Sequence, residues 1–346
     1  MVDRKEVARL AGVSSMTVTR VVSGKGYVSE ETRRRVQKVI EETGYIPNRI
    51  ASGLVSRKSN RIAIIVPELS NPYYLQVVEA MIKESKKYNY VISVFKAYGE
   101  EMPGVLEEVI SNRVAGVVNY SSPFPARYKV YLQEIGAKLI RADDGETDFR
   151  MSLSYEGAIR KALNLLFERG AEKILFIAGV TEDFAVNDQR IPFFRRYLAE
   201  HGRAPQPEDI LYGDYPRRDA YVVGQDAAKK LIREGRKFDA VFCINDMMAL
   251  GFMNAWKKSG KRVPEDAAVV GFDNIRMAEA FDPGLSTVAT DTEKEARLYI
   301  NYIAGIRSEE DTDLHAKFIA RSSTDICRRR EAASEETQEQ KQETQG

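Results

Sequence analysis

The sequence predicts an α/β protein in which parallel sheets flanked by helices follow a small all-helical head. Three observations carry that expectation. Short apolar runs such as RIAIIVP (61–67), VISVF (91–95), KILFIAG (173–179) and AAVVGFD (267–273) alternate with stretches of helical period. The 346 residues exceed what one such sheet requires, so two subdomains are expected in the body. Charge is also uneven. The formal net is +1, yet residues 1–60 hold 12 Lys plus Arg against 6 Asp plus Glu, which is +6 and leaves −5 for the rest. A basic head on an acidic body suits a polyanionic partner for the head, or only a solvated surface; charge alone does not decide.

The head comes first in the chain. Asp3 and Glu6 have capping-box spacing, Val7 and Leu10 give a short apolar stripe, and Gly12 ends it. Ser14 can cap a second helix with Val18, Val21 and Val22 turned inward, closed by SGKG. Ser29 caps a third, whose Val36, Val39 and Ile40 share a face before Gly44. A three- to four-residue turn between the first two helices makes a helix-turn-helix, whose second helix enters the DNA major groove. Its first turn offers Ser15, Met16 and Thr17, with Thr19 and Arg20 beyond. Ser and Thr can bond either base edge, Met can touch a thymine methyl, and Arg20, Lys25 and Arg33 suit phosphate. A plain three-helix bundle with solvated arginines is the alternative.

In the body, the runs at 61–67 and 91–95 bracket a helix from Tyr74 to Tyr88, and a helix around Val105 to Ser111 precedes VAGVVNY (114–120). The rhythm repeats through KLIRA (138–142), a helix from Ile159 to Arg169, KILFIAG, AVFCIND (240–246) and AAVVGFD. Ligands of open parallel sheets bind beyond the carboxyl ends of the strands. There the chain places PELSNPYY, AGVTED, NDMMALG and DNIRMAEAFDP, and neither a P-loop nor a Gly-x-Gly-x-x-Gly fingerprint. Asp246 and Asp273 at strand ends have the makings of an acid/base pair, but such carboxylates equally accept sugar hydroxyls.

Two cysteines, Cys243 and Cys327, are too few for a disulfide framework or thiolate metal site, and His201 with His315 leave little for zinc or Ser-His chemistry. No cofactor is expected, and binding is favoured over catalysis. There is no run of eighteen apolar residues and the first ten residues are charged, so a cytoplasmic protein without membrane contact is expected.

The segment VARLAGVSSMTVTRVVSGKGYVSEETRRRVQKVIEETGYIPNRIASGL closely resembles, without gaps, the DNA-binding head of the LacI/GalR bacterial transcription regulators, and the likeness continues to about residue 325. The resemblance implies DNA contact through Ser14, Ser15, Met16, Thr17, Thr19 and Arg20. It also implies a hinge helix at residues 48–54 that orders on operator DNA, with Asn48, Arg49 and Ala51 at contact positions and Leu54 wedged into the minor groove. A simple tether is the alternative for this stretch. The implied organisation is a head at 1–47, hinge and linker at 48–58, a periplasmic-binding-protein-like core at 59–327 crossed by the chain near 158 and 288, and a disordered tail at 328–346.

The resemblance further implies a small effector, a sugar or related metabolite, in the cleft between two core subdomains. Arg190 in NDQRIPFF, Asp246 in FCINDMMALG, Asp273 in VVGFDNI, Tyr215 in YGDYPRRDAY, and Tyr73 and Tyr74 match its cleft positions. Each has a plainer alternative, as surface arginine, helix cap or core tyrosine. Ser154 and Tyr155 stand where the family usually has Asp-Asn, and Phe193 where it has a glycine, so one polar ligand contact is expected to be lost or replaced and the backbone near Arg190 to differ. The tail lacks the leucine heptad of tetrameric members, so a homodimer on a pseudopalindromic operator is expected. The rival functions are a nonspecific DNA-coating protein, which Ser15 and Met16 argue against, and a sugar-processing enzyme.

Overall fold

The computed structural model describes residues 2–23, 26–46, 59–121, 124–141, 152–185, 188–203, 205–306 and 313–325. The chain forms two compact units, Met1–Ser59 and Asn60–Gly346.

The head consists of α1 (Arg4–Ala11), α2 (Ser15–Ser23) and α3 (Glu30–Thr43). Asp3 accepts the Glu6 N–H at 2.8 Å, and Gly12, with φ of 64°, donates its N–H back to the Ala8 and Arg9 carbonyls. Only half of the capping box forms, because the Glu6 carboxylate turns to Arg9 at 2.6 Å. Ser14 caps α2 through the Thr17 N–H and Ser29 caps α3 through the Thr32 N–H. Val7, Ala8, Ala11, Val18, Val21 and Val36 fill a small core. Leu10 and Val22, expected inside, are 47% and 42% exposed. The buried arc of α1 is centred on residues 7, 8 and 11, which puts Leu10 about 100° around the helix from it.

The second unit begins with a lobe built on β1 (Arg61–Val66), α4 (Pro72–Ser85), β2 (Val91–Lys96), α5 (Met102–Ser111), β3 (Gly116–Asn119), α6 (Arg127–Glu134) and β4 (Lys138–Arg141). Its four strands are parallel in the order β2-β1-β3-β4. Alternation along β1 sorts its side chains. Ile62, Ile64 and Val66 face α4 with Val77 and Met81, while Ala63 and Ile65 face α5 and α6 with Leu106, Val109 and Leu132. The helix expected from Tyr74 starts at Pro72, capped by Asn71, and ends at Ser85.

The other lobe follows β5 (Ser152–Ser154) with α7 (Glu156–Glu168), β6 (Ile174–Ile177), α8 (Glu182–Ala185), α9 (Arg190–Glu200), β7 (Ile210–Leu211), α10 (Ala220–Arg233), β8 (Ala240–Cys243), α11 (Asp246–Lys258), β9 (Ala268–Phe272), α12 (Arg276–Ala280) and β10 (Ser286–Ala289). The chain then sends α13 (Thr292–Ala304) back to the first lobe, where Ala296, Tyr299, Ile300 and Ile303 join the core over β1, and Gly116 leaves room for Ile303. After β11 (Asp313–His315), which pairs with β5, β12 (Lys317–Ile319) returns to pair antiparallel with β10. The six strands run β12-β10-β9-β8-β6-β7. Helices α10 and α11 cross at glycines: a Cβ on Gly224 would overlap the Met248 carbonyl, and one on Gly251 the Tyr221 carbonyl. No described helix is long and apolar enough to cross a membrane.

Candidate functional site

In the head, the first turn of α2 presents Met16 at 65% exposure, with Ser14 and Arg20 also exposed and Ser15 and Thr17 half-buried. The Ser14 and Thr17 hydroxyls hydrogen-bond each other at 2.9 Å; Thr17 can swing outward at the cost of that bond, whereas Ser14 would also give up its cap on the Thr17 N–H. Thr19 is more committed to the fold: it donates to the Ser15 carbonyl at 3.0 Å and accepts from Arg4 at 3.2 Å. That bond ties α1 to α2. Asn48, Arg49, Ala51 and Leu54 lie outside the described residues.

In the second unit, the carboxyl ends of β1, β6, β8 and β9 converge where the two lobes face each other. Asn71 caps α4 through the Tyr73 N–H at 3.0 Å and reaches across with its amide to Asp273 Oδ2 at 3.3 Å. The Tyr74 and Tyr215 hydroxyls meet at 3.5 Å from opposite sides. Tyr73, Tyr74 and Tyr120 form an edge-to-face cluster with centroids 5.4, 6.4 and 5.9 Å apart. Burial lifts the pKa of all three hydroxyls and of Tyr215, which keeps them neutral donors.

Arg190 opens α9 on the other side. Its Nε lies 2.8 Å from Asp188 Oδ1 and its Nη2 2.6 Å from Oδ2, a bidentate fork, while Nη1 donates to the Ile244 carbonyl at 2.8 Å at the end of β8. Its guanidinium lies 4.7 Å from the centroid of the Phe272 ring, which the Tyr155 ring meets edge-on at 5.1 Å. Burial works against the Arg190 charge, but the Asp188 carboxylate outweighs it and raises the pKa. Burial likewise raises Asp188, and Arg190 overcomes it to hold that carboxyl below its usual range.

The tyrosine at 155 thus braces the aromatic surface beneath Arg190 where a polar residue was expected to be lost. Phe193 is buried, 6.2 Å from Tyr197 by centroid, with Arg160 and Arg196 at 5.6 and 5.2 Å from its ring. On α9 itself it packs into the core of its lobe.

Asp273 follows β9 with φ of 110°, a conformation unusual for any residue with a side chain, fixed by its N–H bond to the Val288 carbonyl at 2.8 Å. Burial, with help from Asp246, pushes its pKa well up. Asp246 itself is fully buried. Oδ1 pairs with the Thr287 hydroxyl at 2.6 Å and Oδ2 accepts the Ile275 N–H at 2.9 Å, and burial pushes its pKa up to about 7. One oxygen is therefore spent on β10 and the other on the loop after β9. Of the six expected cleft residues, Tyr74, Tyr215, Arg190 and Asp273 frame the seam, Tyr73 packs behind it, and Asp246 fixes the loop that aims Asp273.

Sequence reasoning missed Glu68, Asn71, Asp188, Tyr120 and Glu295. Glu68 is only 6% exposed; its carboxyl accepts from the Ser70 and Tyr215 hydroxyls, its Oε1 has no hydrogen-bond partner among the described residues, and burial raises its pKa. Glu295 on α13 accepts the Tyr120 hydroxyl at 2.7 Å, and burial raises it too. The signal for Asn71 was present in PELSNPYY, because Asn before Pro is a helix start; nothing local marks Glu295 as buried. At the mouth of the seam, Pro67, Lys96, Tyr98, Gly99, Glu100, Glu101, Pro216 and Arg217 line a cavity of about 570 Å³.

Comparison with known proteins gives a consistent picture. Residues 5–48 match the model of bacterial regulatory proteins of the lacI family, and residues 163–324 that of a periplasmic binding protein-like domain. Catabolite control protein A of Priestia megaterium is 31% identical over 288 residues, 82% of this chain and 86% of that protein. The HTH-type transcriptional repressor PurR of Vibrio parahaemolyticus is 31% identical over 83% of this chain and 86% of its own. Among solved structures, the lac repressor dimer bound to operator and an anti-inducer superposes with a TM-score of 0.74 at 25% identity, covering 93% of this chain and 99% of that one. A complex of the transcriptional regulator CelR with cellobiose gives 0.64 at 28% identity over 93% and 100%.

Proposed function

The chain belongs to the lacI family of bacterial regulatory proteins, and from that premise we propose that it is a dimeric, sequence-specific transcription repressor whose operator affinity is set by a sugar or related metabolite held between the lobes of its core. The observation that carries this reading is the occurrence on one chain of a helix-turn-helix whose first turn exposes Ser14 and Met16, and of a two-lobed unit whose facing ends are joined by Asn71–Asp273 and Tyr74–Tyr215. Ser15, Met16 and Thr17 read bases, with Ser14 released from its bond to Thr17; Arg20 contacts phosphate and Thr19 steadies the helix. Asn48, Arg49, Ala51 and Leu54 form the hinge contacts, Leu54 as the minor-groove wedge.

In the core, Arg190, Asp273, Tyr74 and Tyr215 contact the effector, and Tyr73 supports them. Asp246 acts one step removed by holding the loop that carries Asp273. The protein binds its ligand and does not transform it. Because ligand and lobe closure share the same groups, effector binding changes the relative stability of open and closed cores, and only such differential affinity can alter DNA binding. Self-association is supported by Leu75 and Ile82, exposed two turns apart on α4, and by Val91 and Val94, exposed on the edge strand β2. The dimeric state in the lac repressor–operator complex agrees with this.

The test is selection of duplexes from a random library by the full chain and by its Ser15→Ala/Met16→Ala counterpart. The reading expects an inverted repeat that only the unaltered chain enriches. Binding without enrichment, steeply weakened by salt, would mean nonspecific coating and would sink it.

A further inference from the structure

The charge balance of the seam restricts the chemistry of its ligand. Glu68 is more than nine-tenths buried, and its Oε1 is an acceptor without a donor among the described residues. The Tyr215 hydroxyl already bonds the Glu68 carboxyl beside Ser70, which leaves Oε1 as the one oxygen open to a further donor, and buried polar groups are nearly always paired. The groups around it are known from their mutual influence: Glu68 acts electrostatically on Tyr74, Tyr215 and Asp273. Asp273 adds a second carboxyl, engaged by only a long bond from Asn71 at 3.3 Å, and Glu295 a third behind Tyr120.

The cation that ought to offset them is already matched. Arg190 is held in a bidentate fork by Asp188 and spends a third donor on Ile244. Further out, at the mouth of the seam, Lys96 is held at 2.9 Å by each Glu101 oxygen. Arg217 lines the mouth beside Lys96, so the excess lies deeper: a ligand that enters the seam meets carboxyl acceptors there, together with neutral tyrosine hydroxyls and aromatic faces that suit the flat apolar side of a sugar ring.

We propose that the effector is a hydrogen-bond-donating ring without an anionic group, a neutral sugar, polyol or amino sugar, and that the Glu68 and Asp273 carboxyls exclude its phosphorylated and carboxylated counterparts. This rests on the reading of the seam as the effector site. A hydroxyl or ammonium donor on each satisfies Glu68 Oε1 and Asp273. A phosphate or carboxylate in the same place repels both, unless they first take up protons, which becomes harder as pH rises.

The test uses the full chain at pH 8 and sets of ligands matched in skeleton: glucose, glucosamine, glucose 6-phosphate and gluconate, with the corresponding galactose and ribose sets. Calorimetric titration of each is compared in the unaltered chain and in Glu68→Gln and Asp273→Asn, which keep the shape of the side chains. Tighter binding of a neutral or amino member than of its anionic counterparts, by tenfold or more, with the ratio narrowed in either variant, supports the proposal. Preferred binding of a phosphate or acid leaves the seam as an effector site and overturns the charge rule. Equal discrimination in both variants overturns the assignment to these two carboxyls. No binding by any member removes the sugar reading and the inference with it.

Discussion

At the scale of single residues, Asp246 shows how a side chain at a ligand-type position can belong to the scaffold. Its two oxygens anchor Thr287 and Ile275, and burial raises its pKa to about 7. A carboxyl raised in the folded state binds a proton that the unfolded chain has already lost, so its stabilising contribution is complete below the unfolded value near 4 and falls away as pH climbs through 7. Glu68, Asp273 and Glu295 are shifted in the same direction. The core is therefore expected to melt at a lower temperature at pH 8 than at pH 5. Asp246→Asn imitates the protonated acid, with an amide to donate to Thr287 and a carbonyl for Ile275, and should flatten that slope. A gap of a few kcal/mol between the two pH values is the order expected. Thermal melts of both proteins across this range check it; an unchanged slope in the variant would remove Asp246 from the account.

Legibility at this scale was partial for a definite reason. Tyr74 and Asp273 lie in the segments to which the strand-end rule points, whereas Arg190 and Tyr215 come from the family resemblance alone. What each one touches is a tertiary matter. Asp188 two residues before Arg190 neutralises it, and Asp246 faces into its own lobe, and neither fact is carried by spacing.

At the scale of elements, period and caps located most of what forms. Asp3, Ser14 and Ser29 cap as their positions predict, whereas Leu10 and Val22 face out because a core this small is filled by valine and alanine. Ser29→Ala, away from the recognition turn, should lower head stability by about 1 kcal/mol in urea unfolding followed by circular dichroism. Close helix crossing was less visible. Gly224 and Gly251 sit within helices where alanine would be the better former, and only the approach of α10 to α11 explains them. Gly251→Ala should lower the melting temperature of the core by several degrees or abolish soluble expression, since its methyl meets a backbone carbonyl that cannot yield. A melt unchanged from the parent would show the crossing to be looser than drawn. Helix α13 belongs to the first lobe although it follows the strands of the second, a placement that alternation of strands and helices does not disclose.

At the scale of the whole molecule, the proposed function couples a DNA-reading head to a core whose lobes share polar contacts. Leu54 is a test of the joint. Leu54→Ala should weaken binding to the selected inverted repeat tenfold or more and leave binding to random duplex nearly unchanged, because a minor-groove wedge acts only where DNA is bent at a defined centre. Equal losses on both, measured by fluorescence anisotropy at fixed salt, would assign Leu54 to the tether alone. Resemblance made the two-part design legible from residues 7–54 onward, while the seam brings together residues as distant as 71 and 273, which no local pattern discloses.

The measurement that bears most directly on the central claim is the affinity of the full chain for its selected duplex, with and without a saturating mixture of neutral sugars, beside Arg190→Ala. Coupling of cleft to head predicts a change of tenfold or more in the parent and little or none in the variant. An operator affinity indifferent to the mixture in the parent, under conditions where calorimetry shows a sugar bound, would contradict it.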